Sequence, residues 1–285
     1  MTHAPAPKTV ALFATCLMDA LRPSVGRAAI QLLEGAGFRV AVPADQTCCG
    51  QPGWNAGADD DARALAARVI AAFEGFDYVV APSGSCAGMI QKHYPEAFKD
   101  DAAMRARAEA LAVKTHELTS FLVNVAGVAA RDMAARTATE KRRTYYHDSC
   151  AGLRELGVKA EPRALLAGVE DVELCEGAEC ETCCGFGGLF CIKYDDISTA
   201  IADHKIDDIL KTGADMVLGG DLGCLVHLQG RLSRLGHDIE VRHVAEILAG
   251  LDATVPAIGE DEKTRATRRD EKRRATRRDR KTKRD

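Results

Sequence analysis

Gln46-Thr47-Cys48-Cys49-Gly50-Gln51-Pro52 is the stretch on which the fold turns, because its core returns as Cys183-Cys184-Gly185-Phe186-Gly187-Gly188. Cys16 precedes the first Cys-Cys-Gly triplet as Cys150 precedes the second, and Cys86 follows the first as Cys224 follows the second. Paired cysteines are 134, 135, 135 and 138 residues apart, a near-constancy that independent placement would not produce. Eight of the eleven cysteines belong to this repeat, so the chain reads as two duplicated halves, each built around four thiols. Thiolates held in fours grip iron-sulfur clusters and structural zinc.

The elements around the thiols repeat in the same order. Val10 to Thr15 and Tyr145 to Tyr146 read as buried strands delivering the chain to Cys16 and Cys150. Helical patterns follow at Val25 to Leu33 and Arg163 to Ala167, then second strands at Phe38 to Val42 and Val172 to Leu174. Beyond each triplet lie amphipathic helices, Asp61 to Phe73 and Ile197 to Leu210, and third strands, Tyr78 to Ala81 and Met216 to Leu218. Thr115-His116-Glu117-Leu118 and Arg242-His243-Val244-Ala245 are read as matched fourth strand ends. Strand alternating with helix predicts an α/β fold of two duplicated lobes, each a parallel-sheet sandwich with its cysteines at the carboxyl ends of strands. The expected division is an N-terminal extension at 1–7, a first domain at 8–130, a linker at 131–143, a second domain at 144–257 and a basic tail at 258–285.

Composition narrows the class. Hydrophobic residues make up 46% and aromatics 5%, which suits aliphatic cores of helices on parallel strands. Neither a secretory signal nor an apolar run long enough to span a bilayer is visible, so a cytoplasmic protein is expected, in whose reducing surroundings many cysteines mean metal or redox chemistry. Net charge is −4, but residues 261–285 carry 13 Lys and Arg against 6 Asp and Glu, leaving an acidic body with a basic, disorder-prone tail. Non-specific attraction of that tail to phosphate is the only nucleic-acid interaction expected. No Gly-x-Gly-x-x-Gly opens a helix after the first strand, and no Cys-x2-Cys-x2-Cys run is present, so dinucleotide binding and a ferredoxin-like centre lack support.

Vicinal cysteines are awkward for one small tetrahedral ion, whereas a multi-iron cluster offers separate attachment points. Gly50 and Gly185 let backbone approach such a centre, and loop N–H groups can point at its sulfurs. Three other readings stay open: inert buried thiols, a zinc site, and a vicinal thiol-disulfide switch. Duplication argues against the first, the spread-out spacing against the second and strained geometry between neighbours against the third. Cys175, Cys180 and Cys191 break the symmetry, with Cys180 and Cys191 near enough to the second triplet to serve as a fifth ligand. His147 is read as a proton relay, a hydrogen-bond partner for a cluster sulfur, or a satisfied histidine at a strand end; Trp54 either shields a centre or simply packs.

Taken with Thr15-Cys16-Leu17, Pro82-Ser83-Gly84-Ser85-Cys86-Ala87, His147-Asp148-Ser149-Cys150 and Gly220-Asp221-Leu222-Gly223-Cys224-Leu225, the triplets resemble the CCG, or cysteine-rich, domain family. That domain occurs twice in the cysteine-rich component of heterodisulfide reductases and in related oxidoreductase subunits, and the likeness here is greatest to the family's lactate-utilization branch, over about residues 8 to 250. The resemblance implies an iron-sulfur oxidoreductase subunit that transfers electrons within a multi-protein complex oxidising L-lactate to pyruvate, partnered by other iron-sulfur subunits. It implies up to one cluster per half, of the [4Fe-4S] type, held by Cys16, Cys48, Cys49 and Cys86 and by Cys150, Cys183, Cys184 and Cys224. Whether L-lactate itself binds this chain stays open, and a heterodisulfide-reductase-like enzyme or a zinc-binding scaffold are the alternatives. The wider family pattern ends in Cys-x-x-Cys, and here its first member is Ser83 in one half and Asp221 in the other, which leaves four thiols where five are usual.

Overall fold

The apolar run that opens each half becomes an inner strand of a sheet. The computed structural model describes residues 8–133 and 141–260; the N-terminal extension, most of the expected linker and nearly all of the basic tail fall outside them. The first lobe runs β1 (Thr9–Leu12), α1 (Cys16–Leu21), α2 (Pro23–Gly35), β2 (Arg39–Ala41), α3 (Gln51–Asn55), α4 (Asp59–Phe73), β3 (Tyr78–Ala81), α5 (Gly84–Gly88), α6 (Tyr94–Ala97), α7 (Ala102–Lys114), β4 (Thr115–Glu117) and α8 (Leu118–Asn124). The second runs β5 (Arg142–His147), α9 (Cys150–Arg154), α10 (Ala160–Leu166), β6 (Val172–Leu174), α11 (Phe190–Lys193), α12 (Asp195–Lys211), β7 (Met216–Gly219), α13 (Leu222–Arg234), β8 (Glu240–His243) and α14 (Val244–Leu248).

All pairings are parallel, in the orders β2-β1-β3-β4 and β6-β5-β7-β8. Helices cover both faces of such a sheet, so its inner strands are apolar without alternation; Val10, Ala11, Val79, Val80, Met216 and Val217 are all fully buried. From β1 the chain visits β2 on one side and then β3 on the other, so strand order reverses between β1 and β3, and likewise between β5 and β7. A crevice opens at the carboxyl ends of such strand pairs, where open α/β sheets place their sites.

The lobes differ in one long excursion. Cys86 and Glu117 are 31 residues apart but Cys224 and His243 only 19, and the excess is taken up by α5, a π-helical turn at Met89–His93, α6 and α7, where the second lobe has α13 alone. The fourth strand ends also pair differently from the expected match. Glu117 and His243, not His116 and His243, are equivalent, because each caps the helix that follows: Glu117 accepts the Ser120 N–H (3.0 Å) and His243 Nδ1 the Ala245 N–H (3.2 Å).

Packing between lobes follows a pseudo-twofold. α2 lies on α14, α8 on α10 and α5 on α9. One buried cluster holds Val10, Leu12 and Phe121 together with Leu165, Leu218 and Leu228, so the two sheets share a core. The fully buried Glu246 is held across the boundary by Arg22 (2.9 and 3.0 Å) and Ser24 (2.5 Å). Among the described residues no helix is long and apolar enough to cross a membrane.

Candidate metal centre

Each quartet is assembled by the same local devices. Thr15 turns the chain from β1 into α1 by accepting the Met18 N–H (3.4 Å), and Ser149 does the same for α9 by accepting the Gly152 N–H (3.3 Å), which sets Cys16 and Cys150 on the first turn. Ser83 accepts the Cys86 N–H (3.3 Å) at the start of α5, and Asp221 the Gly223 N–H (3.3 Å) at the start of α13. The triplets turn at left-handed glycines, Gly50 with φ 84° and Gly185 with φ 90°. A Cβ on Gly185 would sit 2.4 Å from the Ser198 carbonyl oxygen, so the loop can lie against α12 only as glycine.

These devices bring all eight repeat sulfurs into two groups. Cys16 Sγ lies 3.9 Å from Cys48 Sγ, and Cys49 Sγ 3.4 Å from Cys86 Sγ. Cys48 also contacts Cys49, so contact passes from Cys16 through the vicinal pair to Cys86. In the second lobe Cys183 touches Cys150 and Cys184, and Cys184 touches Cys224, in the same order. Backbone amides aim at the sulfurs: Gly185 N–H at Cys183 (3.3 Å), Phe186 N–H at Cys184 (3.5 Å), and Gly50 and Gln51 N–H at Cys48 and Cys49.

Hydrogen bonds within each group favour the thiolate form at the first cysteine of the vicinal pair. The thiols of Cys16 and Cys49 hydrogen-bond to Cys48 and draw it down to about 2, while contact with Cys48 pushes Cys16 and Cys49 up. Cys183 is drawn down to about 2 by Cys150 and Cys184, which rise in turn. Thiols packed sulfur to sulfur, with amide donors already aimed at them, are a ligand set that can exchange its protons for a metal.

His147 adds a nitrogen to the second group. Its ring and the Cys184 and Cys224 sulfurs place their donor atoms within 4.8 Å of one another, a triad able to hold a metal. The side chain is 1% exposed, and neither ring nitrogen has a hydrogen-bond partner. Burial depresses its basicity to about 3, which leaves the neutral, ligating form. The satisfied strand-end histidine considered from sequence is therefore not what the structure contains.

A cavity of about 270 Å³ opens over the first quartet, walled by Cys16, Cys48, Cys49 and Cys86 on one side and by Phe186, Leu189, Cys191 and Ile192 of the second lobe on the other. Cys191, expected near the second triplet's own centre, instead lines the first lobe's cavity, because α11 crosses the lobe boundary; its thiol donates to the Gly188 carbonyl (3.1 Å). Cys175 and Cys180 pack at the edge of the shared core. The Trp54 ring lies tilted with its centroid 5.8 Å from that of His93, and Trp54 and Cys48 both pack against the first lobe's buried cluster.

Two parallel-sheet lobes, each gathering a thiol quartet at its strand ends, define a tandem cysteine-rich α/β protein with a metal-binding, redox-type site. The family model described as "Cysteine-rich domain" matches residues 10–91 and 144–229, one copy per lobe. The chain is 45% identical over 241 residues to lactate utilization protein A of an Exiguobacterium species, covering 84% of this chain and 96% of that one, and 44% identical over 240 residues to lactate utilization protein A 2 of Bacillus cereus, covering 84% and 97%. It belongs to the lactate utilization protein A family. Among solved structures, a hypothetical protein from Helicobacter pylori superposes with a TM-score of 0.58 at 14% identity over 90% of this chain; the match spans half of that longer chain and shows a common fold.

Proposed function

We propose that this protein is an iron-sulfur electron-transfer subunit of a multi-protein system oxidising L-lactate to pyruvate. In this reading Cys16, Cys48, Cys49 and Cys86 hold one centre and Cys150, Cys183, Cys184 and Cys224 a second. The observation that carries it is the duplicated convergence of four sulfurs with backbone N–H groups aimed at them. Clusters bound there would supply one-electron transfer at potentials tuned by those hydrogen bonds. The amides spread the negative charge of the thiolates, and Leu17, Leu189 and Ile192 give the first site an apolar wall.

Lactate oxidation itself is assigned to a partner. Among the described residues, the cavity's lining includes no Arg, Lys or His, so an anionic hydroxy acid entering it would find no cationic side chain to hold its carboxylate. Beside the cavity, Ile192, Tyr194 and Ile197 are 74%, 55% and 55% exposed, an apolar rim suited to docking another iron-sulfur subunit close to the first centre.

A zinc-binding scaffold is the second reading, favoured by sulfur spacing: two thiolates on one tetrahedral zinc with bonds of about 2.3 Å stand about 3.8 Å apart, close to the 3.9 Å between Cys16 and Cys48. Anaerobic purification with iron, acid-labile sulfide and zinc quantified separates the two. Iron and sulfide near eight of each per chain, the content of two [4Fe-4S] clusters, support the proposal; stoichiometric zinc without sulfide overturns it. Deletion of the coding gene is expected to abolish growth on L-lactate but not on glucose, with rescue by the intact protein and not by Cys184→Ala. Unimpaired growth on lactate would remove the lactate assignment.

A further inference from the structure

The two lobes are related by near-constant offsets, yet they differ at the base of the quartet. His147 ends β5 three residues before Cys150; Phe13 follows β1 three residues before Cys16. Both are buried and both lead into the capping residue of the next helix; Phe13 shares a buried cluster with Cys49 and Cys86, and His147 lies beside Cys184 and Cys224. Phe13 is an apolar plug. His147 is an imidazole with two unpartnered nitrogens, its donor atom within 4.8 Å of the Cys184 and Cys224 sulfurs.

An imidazole left unsatisfied in a dry core is destabilising, and a metal bond would offset that cost. We infer that His147 is a metal ligand, so that the second lobe holds a mixed nitrogen-sulfur centre while the first lobe's is all-thiolate. The inference rests on the reading that each quartet holds a metal centre. A second asymmetry lies beside it. Lys205 is fully buried in α12, held by Tyr145 Oη (2.9 Å) and by the carbonyls of Glu179 (2.6 Å) and Cys180 (2.9 Å), with the Asp208 carboxylate accepting from the same Tyr145 hydroxyl (2.8 Å). Gly50 meets Ala62 of α4 as Gly185 meets Ser198 of α12, so the position of α4 that matches Lys205 is the apolar Val69. The two centres thus differ in their surroundings and donor atoms instead of being two equal copies.

Electron spin-echo modulation of the reduced, anaerobically purified full chain tests this. The expected spectrum shows directly bonded nitrogen from one centre, and its pattern changes from 14N to 15N when the protein is grown with ring-labelled histidine, a readout that needs no variant. His147→Phe, which copies the first lobe, is expected to abolish that coupling, to keep the first lobe's signal and to shift only one of two midpoint potentials. Iron and sulfide present without nitrogen coupling, or coupling that survives in His147→Phe and so arises elsewhere, overturns the inference and leaves the proposed function standing. Absence of iron and sulfide overturns both.

Discussion

Ser83 Oγ donates to Asp221 Oδ2 across 3.2 Å, joining the two residues that stand three places before the last thiol of each quartet. The same carboxylate oxygen accepts the Ser85 N–H (2.9 Å), and its other oxygen accepts the Gly223 N–H (3.3 Å) at the start of α13. The wider family pattern has cysteine at both positions; in this chain they cap helices and bind the lobes to each other.

Asp221→Ala removes these bonds at once and leaves the partly buried Ser85 amide without its acceptor. A loss of about 2–3 kcal/mol is expected, read as a lower midpoint in urea unfolding. Asp221→Asn, which keeps an oxygen acceptor, should lose less. Equal midpoints for all three proteins would show that the bridge contributes nothing.

Close approach at the same boundary sets a steric requirement. A Cβ on Gly84 would lie 2.7 Å from Gly152 Cα and 2.8 Å from Gly152 N, backbone against backbone with no side chain to swing aside. Gly84→Ala is therefore expected to force α5 and α9 apart and to cost about 1–3 kcal/mol. A melting temperature equal to the parent's would mean the helices separate freely.

Much of this was readable from residues whose behaviour is local. Tyr78 to Ala81 and Val172 to Leu174 have the bounds expected of them, because short β-branched and apolar runs in parallel sheets leave little ambiguity. The quartets were legible because duplication supplied a second copy of every spacing. What was missed depends on packing between distant segments. No helices are read between Cys86 and Thr115, because the second half runs through the matching segment as α13 alone and supplies no second copy of them. Neither the Ser83–Asp221 bond nor the turn of Cys191 toward the first quartet has a local signal. The pairing of His147 with Phe13 had one, in the constant offset of 134 residues.

Glu117 gives the fold a pH dependence. Complete burial raises its carboxyl to about 7, against the opposing hydrogen bonds from Thr119 Oγ1 (2.6 Å) and the Ser120 N–H (3.0 Å). The folded chain therefore holds this proton over a range in which the unfolded chain has released it. Stability is expected to fall as pH rises from about 4.5 to 7, by up to about 3 kcal/mol from this group. In Glu117→Gln, which keeps an acceptor oxygen and cannot ionise, that decline should vanish. Urea midpoints of both proteins at pH 5, 7 and 8.5 provide the check, and parallel curves would exclude the effect.

Substitution of one buried thiol per lobe separates the two centres. Cys49 and Cys184 are each 2% exposed and each contacts two other sulfurs of its group, so neither is replaceable by solvent. Cys49→Ala and Cys184→Ala should each lower bound iron by about half, and the double variant should bind almost none. The lobes share a core, so each variant must also keep the parent's far-ultraviolet circular dichroism for the loss to be assigned to ligation and not to unfolding. Unchanged iron in either folded single variant would show that its quartet is not a ligand set, while total loss from one substitution would mean that both quartets serve a single shared centre.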